Sequence, residues 1–441
     1  MNIKTRQLPE QTWYQATLDQ PFQAERLGSR RQASVLVIGA GLAGLTTAVG
    51  LAEQGLDGVC LLEAGDVGAG ASGRNGGFVF GGYSLSEADL LKQLEPQQAR
   101  SLYKLTESAC GRIRQRAAHY GIECEINPSG VVLANCFSGI QRLQQQQLMM
   151  REQFGAQWPM LAPEDLRQQL KSDFYHGGLL QPEAFHFHPL KFCHGLARAA
   201  QQQGVNVFTQ SPVQRLQRVN GLWQAETVDG VVEAEQVLVA CGGYFDRFLP
   251  RLARAVMPIA TYVMVTEPLG DRLDEVMTRR AAVYDNRFAF DYYRPLPDTR
   301  LMWGGRISIR ERTPQQVATA LAGDMCRIYP QLADVAVDYA WSGRMSYAWH
   351  QMPQIGQAEP GLWYAMGFGG HGMASTALAG DLLAAALAEG DVGWQAFQRW
   401  GIRSVGGRPA RWLAQLGYWY YQLRDQLAIN SRSGMLSKTK K

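Results

Sequence analysis

The stretch VLVIGAGLAGLTTAVGLAEQGLDGVCLLEAG, residues 35–65, decides the fold. It opens within an apolar run at 34–38 that reads as a short strand covered on both faces. An Ala- and Leu-rich segment at 42–54 reads as a helix ending at Gly55, and 58–62 reads as a second strand. Gly39, Gly41 and Gly44 fall between strand and helix in G-x-G-x-x-G spacing. Gly39 allows a tight turn, Gly41 lets a phosphate approach the bare backbone, and Gly44 lets the helix pack on the strand. The helix start at Leu42 and Ala43 then offers free N–H groups and the positive end of a dipole to a pyrophosphate. Glu63, followed by Ala64, ends the second strand 19 residues after Gly44. A carboxylate there accepts the hydroxyl hydrogens of an unphosphorylated ribose and disfavours a 2′-phosphate. The unit therefore reads as a site for an adenine dinucleotide, and its spacing does not choose between NAD and FAD.

Composition narrows the remaining classes. With 441 residues, the chain can form more than one domain. A hydrophobic fraction of 46% and a charged fraction of 19% fit a globular protein. A net charge of +4 gives no reason to invoke nucleic acid, and the terminal SKTKK reads as a solvated tail. Seven cysteines are scattered singly, against a disulfide framework or a zinc site. The start lacks an apolar signal region, and no apolar run approaches the ~20 residues of a membrane helix. A cytoplasmic protein is expected.

Further along, the first 30 residues are polar and aperiodic and read as an arm on the surface. The second glycine-rich stretch, GDVGAGASGRNGGFVFGGYS at 65–84, follows the βαβ unit. Ser72, Arg74 and Asn75 can donate to phosphate or flavin oxygens, while Gly73, Gly76 and Gly77 admit a flat ring. The same composition also describes a plain flexible loop. Helical patterns cover roughly 86–119, 138–170, 190–203 and 313–328, and 121–136 reads as a strand pair. Residues 205–244 read as strands joined by Asn-Gly and Asp-Gly turns. Residues 361–391 read as strand, glycine turn and small-residue helix. A Trp/Tyr/Leu stripe at 408–428 reads as a helix docked on the body or on a partner subunit, rather than a membrane anchor.

The pair IGAGLAG…LLEAG and GAGASGRNGG resembles the D-amino-acid-oxidase-like family of FAD-dependent amine and amino-acid oxidoreductases, most nearly its gamma-glutamylputrescine oxidoreductase branch. Further landmarks are QSPVQRL (210–216), VLVACGGY (237–244), PIATYVMVTEPL (258–269), WGGR (303–306), WSGRMSYAWHQMPQIG (341–356) and GFGGHGMASTALAG (367–380). The resemblance implies an α/β fold, a Rossmann-like FAD-binding domain (GR2-type) interleaved with an antiparallel-sheet α+β substrate domain. The expected divisions are an arm at 1–29, an FAD-binding domain at 30–100, 186–255 and 341–400, a substrate domain at 101–185 and 256–340, and a C-terminal helix and tail at 401–441.

It also implies FAD, expected to be noncovalent because the glycine loop has no cysteine and His371 is not at a linkage position that carries over, although some relatives attach the flavin through a Cys or His. Gly39, Gly41, Gly44 and Glu63 would hold its ADP half, with Leu42, Ala43 and Ala64 beside them. Ser72, Arg74, Asn75, Gly76 and Gly77 would lie along pyrophosphate and ring, and Val213 would serve the adenine. Gly369, Gly370, His371, Gly372 and Met373 would return to the flavin, with a helix N-terminus near its O2 edge. The implied reaction moves hydride from an amine-bearing carbon to flavin N5. Hydrolysis of the imine gives an aldehyde plus amine or ammonia, and O2 or another acceptor takes the electrons. A gamma-glutamylputrescine-type amine is the expected substrate, with a small amino acid as alternative, or a flavin dehydrogenase serving a partner.

His371 reads as a general base or as a satisfied histidine that holds the loop, the latter preferred because an amine can enter neutral. Arg344 reads as a carboxylate clamp or as a strand-end arginine paired with an acid. Tyr262 and Trp349 read as an aromatic wall for an amine or as packing, with Arg306 and Tyr347 as further orienters. His186 and His188 share a strand face, but no nearby acid or cysteine completes a metal site, and none is expected.

Overall fold

The computed structural model describes residues 8–244 and 248–436. The terminal SKTKK and the first seven residues of the arm lie outside them. The strands Arg30–Ile38 and Val59–Leu62 pair in parallel, with the helix Leu42–Glu53 between them in sequence. The opening βαβ reading therefore holds to within a few residues.

These two strands lie inside an eight-stranded sheet. Its spine runs Gln354–Glu359, Leu362–Met366, Val231–Val239, Arg30–Ile38, Val59–Leu62 and Asn206–Phe208. All neighbours along the spine are parallel except the first pair. The hairpin Arg215–Val219 and Leu222–Glu226, turned at Asn220-Gly221, pairs with the early part of Val231–Val239. A second eight-stranded sheet runs Val337–Tyr347, Met257–Thr266, Leu301–Ser308, Tyr292–Pro295, Ala282–Asp285, Val131–Ala134, Gly178–Gln181 and Met160–Leu161. It is antiparallel except where Ala282–Asp285 meets Val131–Ala134. A mostly parallel sheet joined to an antiparallel one is the expected fold class.

The helix layer on the first sheet explains the small residues of 372–389. The helix Gly372–Glu389 crosses Leu42–Glu53 at very short range. A Cβ on Gly380 would lie 2.5 Å from the Cβ of Thr46, and one on Gly50 would lie 2.8 Å from that of Ala384. Only glycine lets the two backbones approach so closely. The helix Pro96–His119 packs on the same layer, and its Arg112 and Arg116 pair with Asp381. The crossing sets the start of each helix relative to the other.

Several expectations change. The strand Val337–Tyr347 runs in the second sheet, across the division placed at 340/341, and Pro96–His119 lies against the first layer although 101–185 was assigned to the other domain. Helix 86–119 is broken into Glu87–Gln93 and Pro96–His119, because proline at 96 starts a new helix. Segment 138–170 holds Gln141–Met149, a wide turn at Met150–Phe154, the strand Met160–Leu161 and Pro163–Leu170. Of the strand pair at 121–136, Val131–Ala134 is a full strand and Asn127 makes a lone bridge to His186.

The arm is also not a surface feature where it is described. Trp13, Tyr14, Phe22 and Leu27 are buried. Phe22 N–H donates to His194 Nδ1 at 2.7 Å, and Leu27 N–H donates to Ser211 Oγ at 2.9 Å. These apolar residues follow no helical or strand period, so the sequence carried no signal of burial.

The helix Gly407–Leu436 docks by a polar line and by part of its aromatic stripe, with Tyr418 and Tyr421 packed on Phe288. Gln415 and Tyr418 accept the N–H groups of Ile309 and Ile307 at 3.0 and 3.2 Å, and Asp425 accepts that of Phe288 at 2.6 Å. Trp412, Leu413, Leu416, Trp419 and Tyr420 stay exposed. The loose edge of the sheet at 307–309 needs acceptors, and those side chains supply them.

The helix crossing makes a test. Gly380→Ala raises helix propensity yet overpacks Thr46, and is expected to destabilise by about 1–3 kcal/mol. Gly323→Ala, in the helix Pro314–Ile328 with open space around its Cβ position, is expected to stabilise by about 0.5–1 kcal/mol. Denaturant unfolding of both apo-proteins checks the opposite signs.

Candidate functional site

The first turn closes as its glycines require. Gly39 has φ +108° and a Cβ there would lie 2.8 Å from the Ala240 carbonyl, while one on Gly44 would strike the Gly39 carbonyl. Gly41 caps the helix without a side chain, and a Cβ on it would meet only the Ser72 side chain. Ser72 Oγ accepts the Leu42 N–H at 2.9 Å, so the second glycine loop reaches the helix start. Leu42 and Ala43 are buried behind it.

Glu63 leans back over the turn. Its Oε2 accepts the Ala40 N–H at 2.7 Å and its Oε1 the Gly65 N–H at 2.9 Å. Burial pushes its carboxyl up, against these backbone donors. A carboxylate has about four acceptor directions, so both oxygens keep room for ribose hydroxyls. A pocket of about 190 Å³ opens alongside, lined by Ala64, Ser211, Pro212 and Thr227 among others, with Val213 buried next in sequence.

The second loop spends much of its polarity on its own shape. Arg74 Nε donates to the Ala69 carbonyl at 2.8 Å and Nη1 to that of Ser342 at 3.3 Å. Asn75 Nδ2 donates to the Ala71 and Ser72 carbonyls, and Oδ1 accepts the Gly77 N–H. Both side chains brace the loop, where free donors were expected. Gly76 and Gly77 are tight for another reason. A Cβ on Gly76 would lie 2.6 Å from the Tyr292 ring, and one on Gly77 would strike the Phe187 carbonyl.

The late loop meets the same region. Ser84 Oγ accepts the N–H groups of Gly370 and His371 at 2.8 and 3.3 Å. Gly369 has φ +61°, and a Cβ there would lie 2.8 Å from Tyr347. His371 precedes the helix Gly372–Glu389, beside open space at Gly372 and the buried Met373. Its ring stands edge-on to Phe80, with centroids 5.0 Å apart. Burial holds its pKa down to about 4, so the imidazole is neutral. Its Nδ1 is buried and has no partner among the described residues.

Five partly accessible side chains stand against the second and late glycine loops, the region called the cleft below: Glu87 at Gly82, Tyr284 stacked on Phe80, Tyr292 at Gly76, Tyr347 at Gly369, and His371 within the late loop. Sequence reasoning found only the last two. The aromatic density of 284–293 was a signal, but nothing in it said which rings face the cleft.

Arg294 was missed as well. It is fully buried, and it donates to the Gly76 carbonyl at 2.6 Å, the Phe187 carbonyl at 2.9 Å and Tyr14 OH at 3.0 Å. The Tyr14 hydroxyl donates in turn to the Asn75 carbonyl at 2.9 Å. Arm, flavin loop and second sheet are thus held by one guanidinium.

The proposed substrate contacts fare unevenly. Tyr347 reaches the late loop. Tyr262 does not: its ring is buried on the side of the second sheet covered by Pro314–Ile328, and its hydroxyl donates to the Arg310 carbonyl at 2.6 Å. Trp349 is 69% exposed and walls nothing. Arg344 is exposed and pairs with Glu311 at 2.6 Å, the strand-end reading. Arg306 makes a two-pronged pair with Asp324, at 2.6 and 3.0 Å. His186 and His188 are buried, and both are held neutral, near 3 and 2. His186 Nε2 donates to the Arg280 carbonyl and His188 Nδ1 accepts the Lys191 N–H. Among the described residues no three potential ligands gather around a metal.

These features fit an FAD. The first turn offers a helix start beside a bare glycine, Glu63 sits at the ribose position, and the orphaned Nδ1 of His371 and the space at Gly372 face the second helix start. Comparison with known proteins agrees. The family model for FAD-dependent oxidoreductases of the DAO type matches residues 34–386. The chain is 32% identical to gamma-glutamylputrescine oxidoreductase of Escherichia coli over 422 residues, 95% of this chain and 99% of that one. It is 33% identical to the probable oxidoreductase OrdL of Haemophilus influenzae over 424 residues, 94% and 97% of the two chains. Among solved structures, glycine oxidase from Geobacillus kaustophilus superposes with a TM-score of 0.70 at 19% identity, covering 85% of this chain and 99% of that one. L-proline dehydrogenase from P. horikoshii gives 0.70 at 17%, covering 85% and 100%. Among the described residues no helix is long and apolar enough to cross a membrane. The chain belongs to the DAO family of FAD-dependent oxidoreductases, and FAD is its cofactor.

Proposed function

We propose that this protein oxidises an aliphatic amine of the gamma-glutamylputrescine type, with noncovalently bound FAD. The observation that carries the reading is the fate of the candidate arginines. Arg74 and Arg294 are bound to backbone carbonyls, and Arg306 and Arg344 to carboxylates. None of the four is left to grip a carboxylate beside the reacting carbon, as oxidation of an α-amino acid asks. The cleft presents aromatic rings and a carboxyl instead, surfaces suited to an amine. The identity with the Escherichia coli gamma-glutamylputrescine oxidoreductase, extending over nearly both chains, supports the same choice.

Gly39, Gly41, Leu42 and Glu63 would hold the ADP half, with Ala64 and Val213 at the adenine end. Ser72, Gly76, Gly77 and the loop Gly369–Met373 would enclose the ring. Bound FAD supplies a two-electron acceptor that takes an amine to an imine, which water opens to an aldehyde. The chain's own work is to orient the carbon–nitrogen bond and to exclude water. With its pKa held at about 4, His371 is too weak a base to take a proton from an ammonium group, so it positions the loop. The positive end of the helix Gly372–Glu389 favours the negative charge that reduction brings. Molecular oxygen is the proposed final acceptor.

Anaerobic addition of gamma-glutamylputrescine, putrescine, glycine and proline to the holoenzyme tests the choice. Loss of the flavin's visible absorbance is expected with the first, followed by hydrogen peroxide on admitting air. Bleaching by glycine or proline alone overturns the amine reading. Glu63→Ala is expected to weaken FAD retention by about 2 kcal/mol, roughly 30-fold. Full occupancy in folded variant protein contradicts the ribose role. Arg344→Ala is expected to leave the Michaelis constant within about twofold, as an exposed ion pair contributes little. A loss confined to α-amino acids restores the clamp.

A further inference from the structure

Beside Gly82, in the second glycine-rich stretch, lies a carboxyl group that no cation neutralises among the described residues. Glu87, in the first turn of Glu87–Gln93, lays its Oε1 against the backbone of Gly82, 2.7 Å from where a Cβ would stand. Among the described residues no Lys, Arg or His side chain pairs with it. Its surroundings are aromatic. The Tyr103 ring edge faces the same point of Gly82 at 3.7 Å. The rings of Phe80 and Tyr284 stack with centroids 5.5 Å apart and planes within 1°, and Gln181 Nε2 donates to the Tyr284 hydroxyl at 2.8 Å. The negative charge of Glu87 helps to hold both Tyr103 and Tyr284 in their protonated form. Phe80 in turn touches His371, which joins this cluster to the late loop.

An ionised carboxylate in such a place is costly unless a cation joins it. Aromatic faces attract the same kind of partner. We infer that Glu87, with the rings of Phe80 and Tyr284, forms the recognition site for the substrate's alkylammonium group. The inference rests on the amine reading above and names the residues that select the amine. Hydride leaves only from beside the neutral amine, so the recognised ammonium gives up its proton to water before oxidation, and no covalent or redox step is assigned to Glu87.

The state of the carboxyl gives the site a pH signature. Burial without a counter-ion raises its pKa to about 7. Cation binding needs the ionised form, present at roughly a tenth at pH 6 and nine tenths at pH 8 for such a pKa, so affinity rises about tenfold across that interval. The titratable groups that face it are Tyr103 and Glu107 from Pro96–His119 and Tyr284 from Ala282–Asp285. Both tyrosines stay protonated, and His371 beyond Phe80 stays neutral. Glu107 reaches Gly81 from the other side, and burial raises it too. Asp89, on the same helix as Glu87, is paired with Lys92 at the surface and held low.

Butyltrimethylammonium is a suitable probe, because its nitrogen carries no proton to lose and it cannot become a neutral imine. Its binding to the holoenzyme is read from perturbation of the flavin spectrum. The dissociation constant is expected to fall about tenfold from pH 6 to pH 8. Glu87→Gln is expected to weaken binding at least tenfold and to abolish the pH dependence, with FAD content and apo-protein melting temperature not lowered. Glu87→Asp is expected to retain part of the affinity, and Glu107→Gln to leave the pH dependence in place. With a reducing amine, Glu87→Gln is expected to raise the Michaelis constant about tenfold while the limiting rate of flavin reduction moves less than about threefold. Probe binding by Glu87→Gln as tight as in the unaltered protein, with FAD retained, overturns the inference. So does a pH dependence that vanishes in Glu107→Gln. If no amine bleaches the unaltered holoenzyme, the proposed function fails, while the probe titration still decides the role of Glu87.

Discussion

The structure depends on one close approach, that of the helix Leu42–Glu53 to Gly372–Glu389, more than 300 positions apart in the chain. Glycines 50 and 380 remove the side chains that would hold the two apart. Once the backbones are in contact, the two helix starts cannot move independently. One helix begins at the bare turn beside Ser72, the other at His371. A pyrophosphate needs the first and a reduced ring benefits from the second, so the crossing fixes the span between the two ends of one cofactor. Small residues along 372–389 thus serve geometry before they serve propensity.

Around that crossing, charge is handled by removal. His186 and His188 are kept neutral by burial and by fixed hydrogen bonds. Arginines 306 and 344 are each matched to a carboxylate. Arg294 is the exception, a buried guanidinium whose partners among the described residues are carbonyls, a phenol and a neutral imidazole. A buried cation held only by dipoles is tolerated when it binds several of them well, and this one binds three parts of the chain together. Glu87 is the opposite case, an acid with no cation beside it among the described residues.

The sequence was most readable where chemistry is local. The turn at 39–44, the acid at 63 and the alternation of apolar runs with glycine are dictated by neighbours within 30 residues, and the first sheet's central strands followed from them. Fold class and cofactor were therefore within reach of sequence reading. The cleft was not, because its walls come from 80–87, 284–292, 347 and 371, and the facing of each ring depends on a strand register that distant pairings set. Tyr262 illustrates the difficulty. It lies in a recognisable strand, but a one-residue change of phase decides between the cleft and the helix-covered core. Tyr14 and Arg294 illustrate another: their contact joins residues 280 positions apart, and neither position carries a local pattern.

That contact between the arm and the second sheet bears on the order in which the protein matures. Residues 30–63 can form their strand, turn and helix soon after leaving the ribosome. The loop at 72–77 cannot take its final shape then, because Arg294, which grips Gly76, and Tyr14, which grips Asn75, meet only after about two thirds of the polypeptide has been made. The helix that closes the other end of the cofactor comes later still, at 372–389. The full enclosure for FAD is thereby available only late in biosynthesis, and a chain stopped short of residue 372 would own a nucleotide-binding turn without the helix that closes the other end.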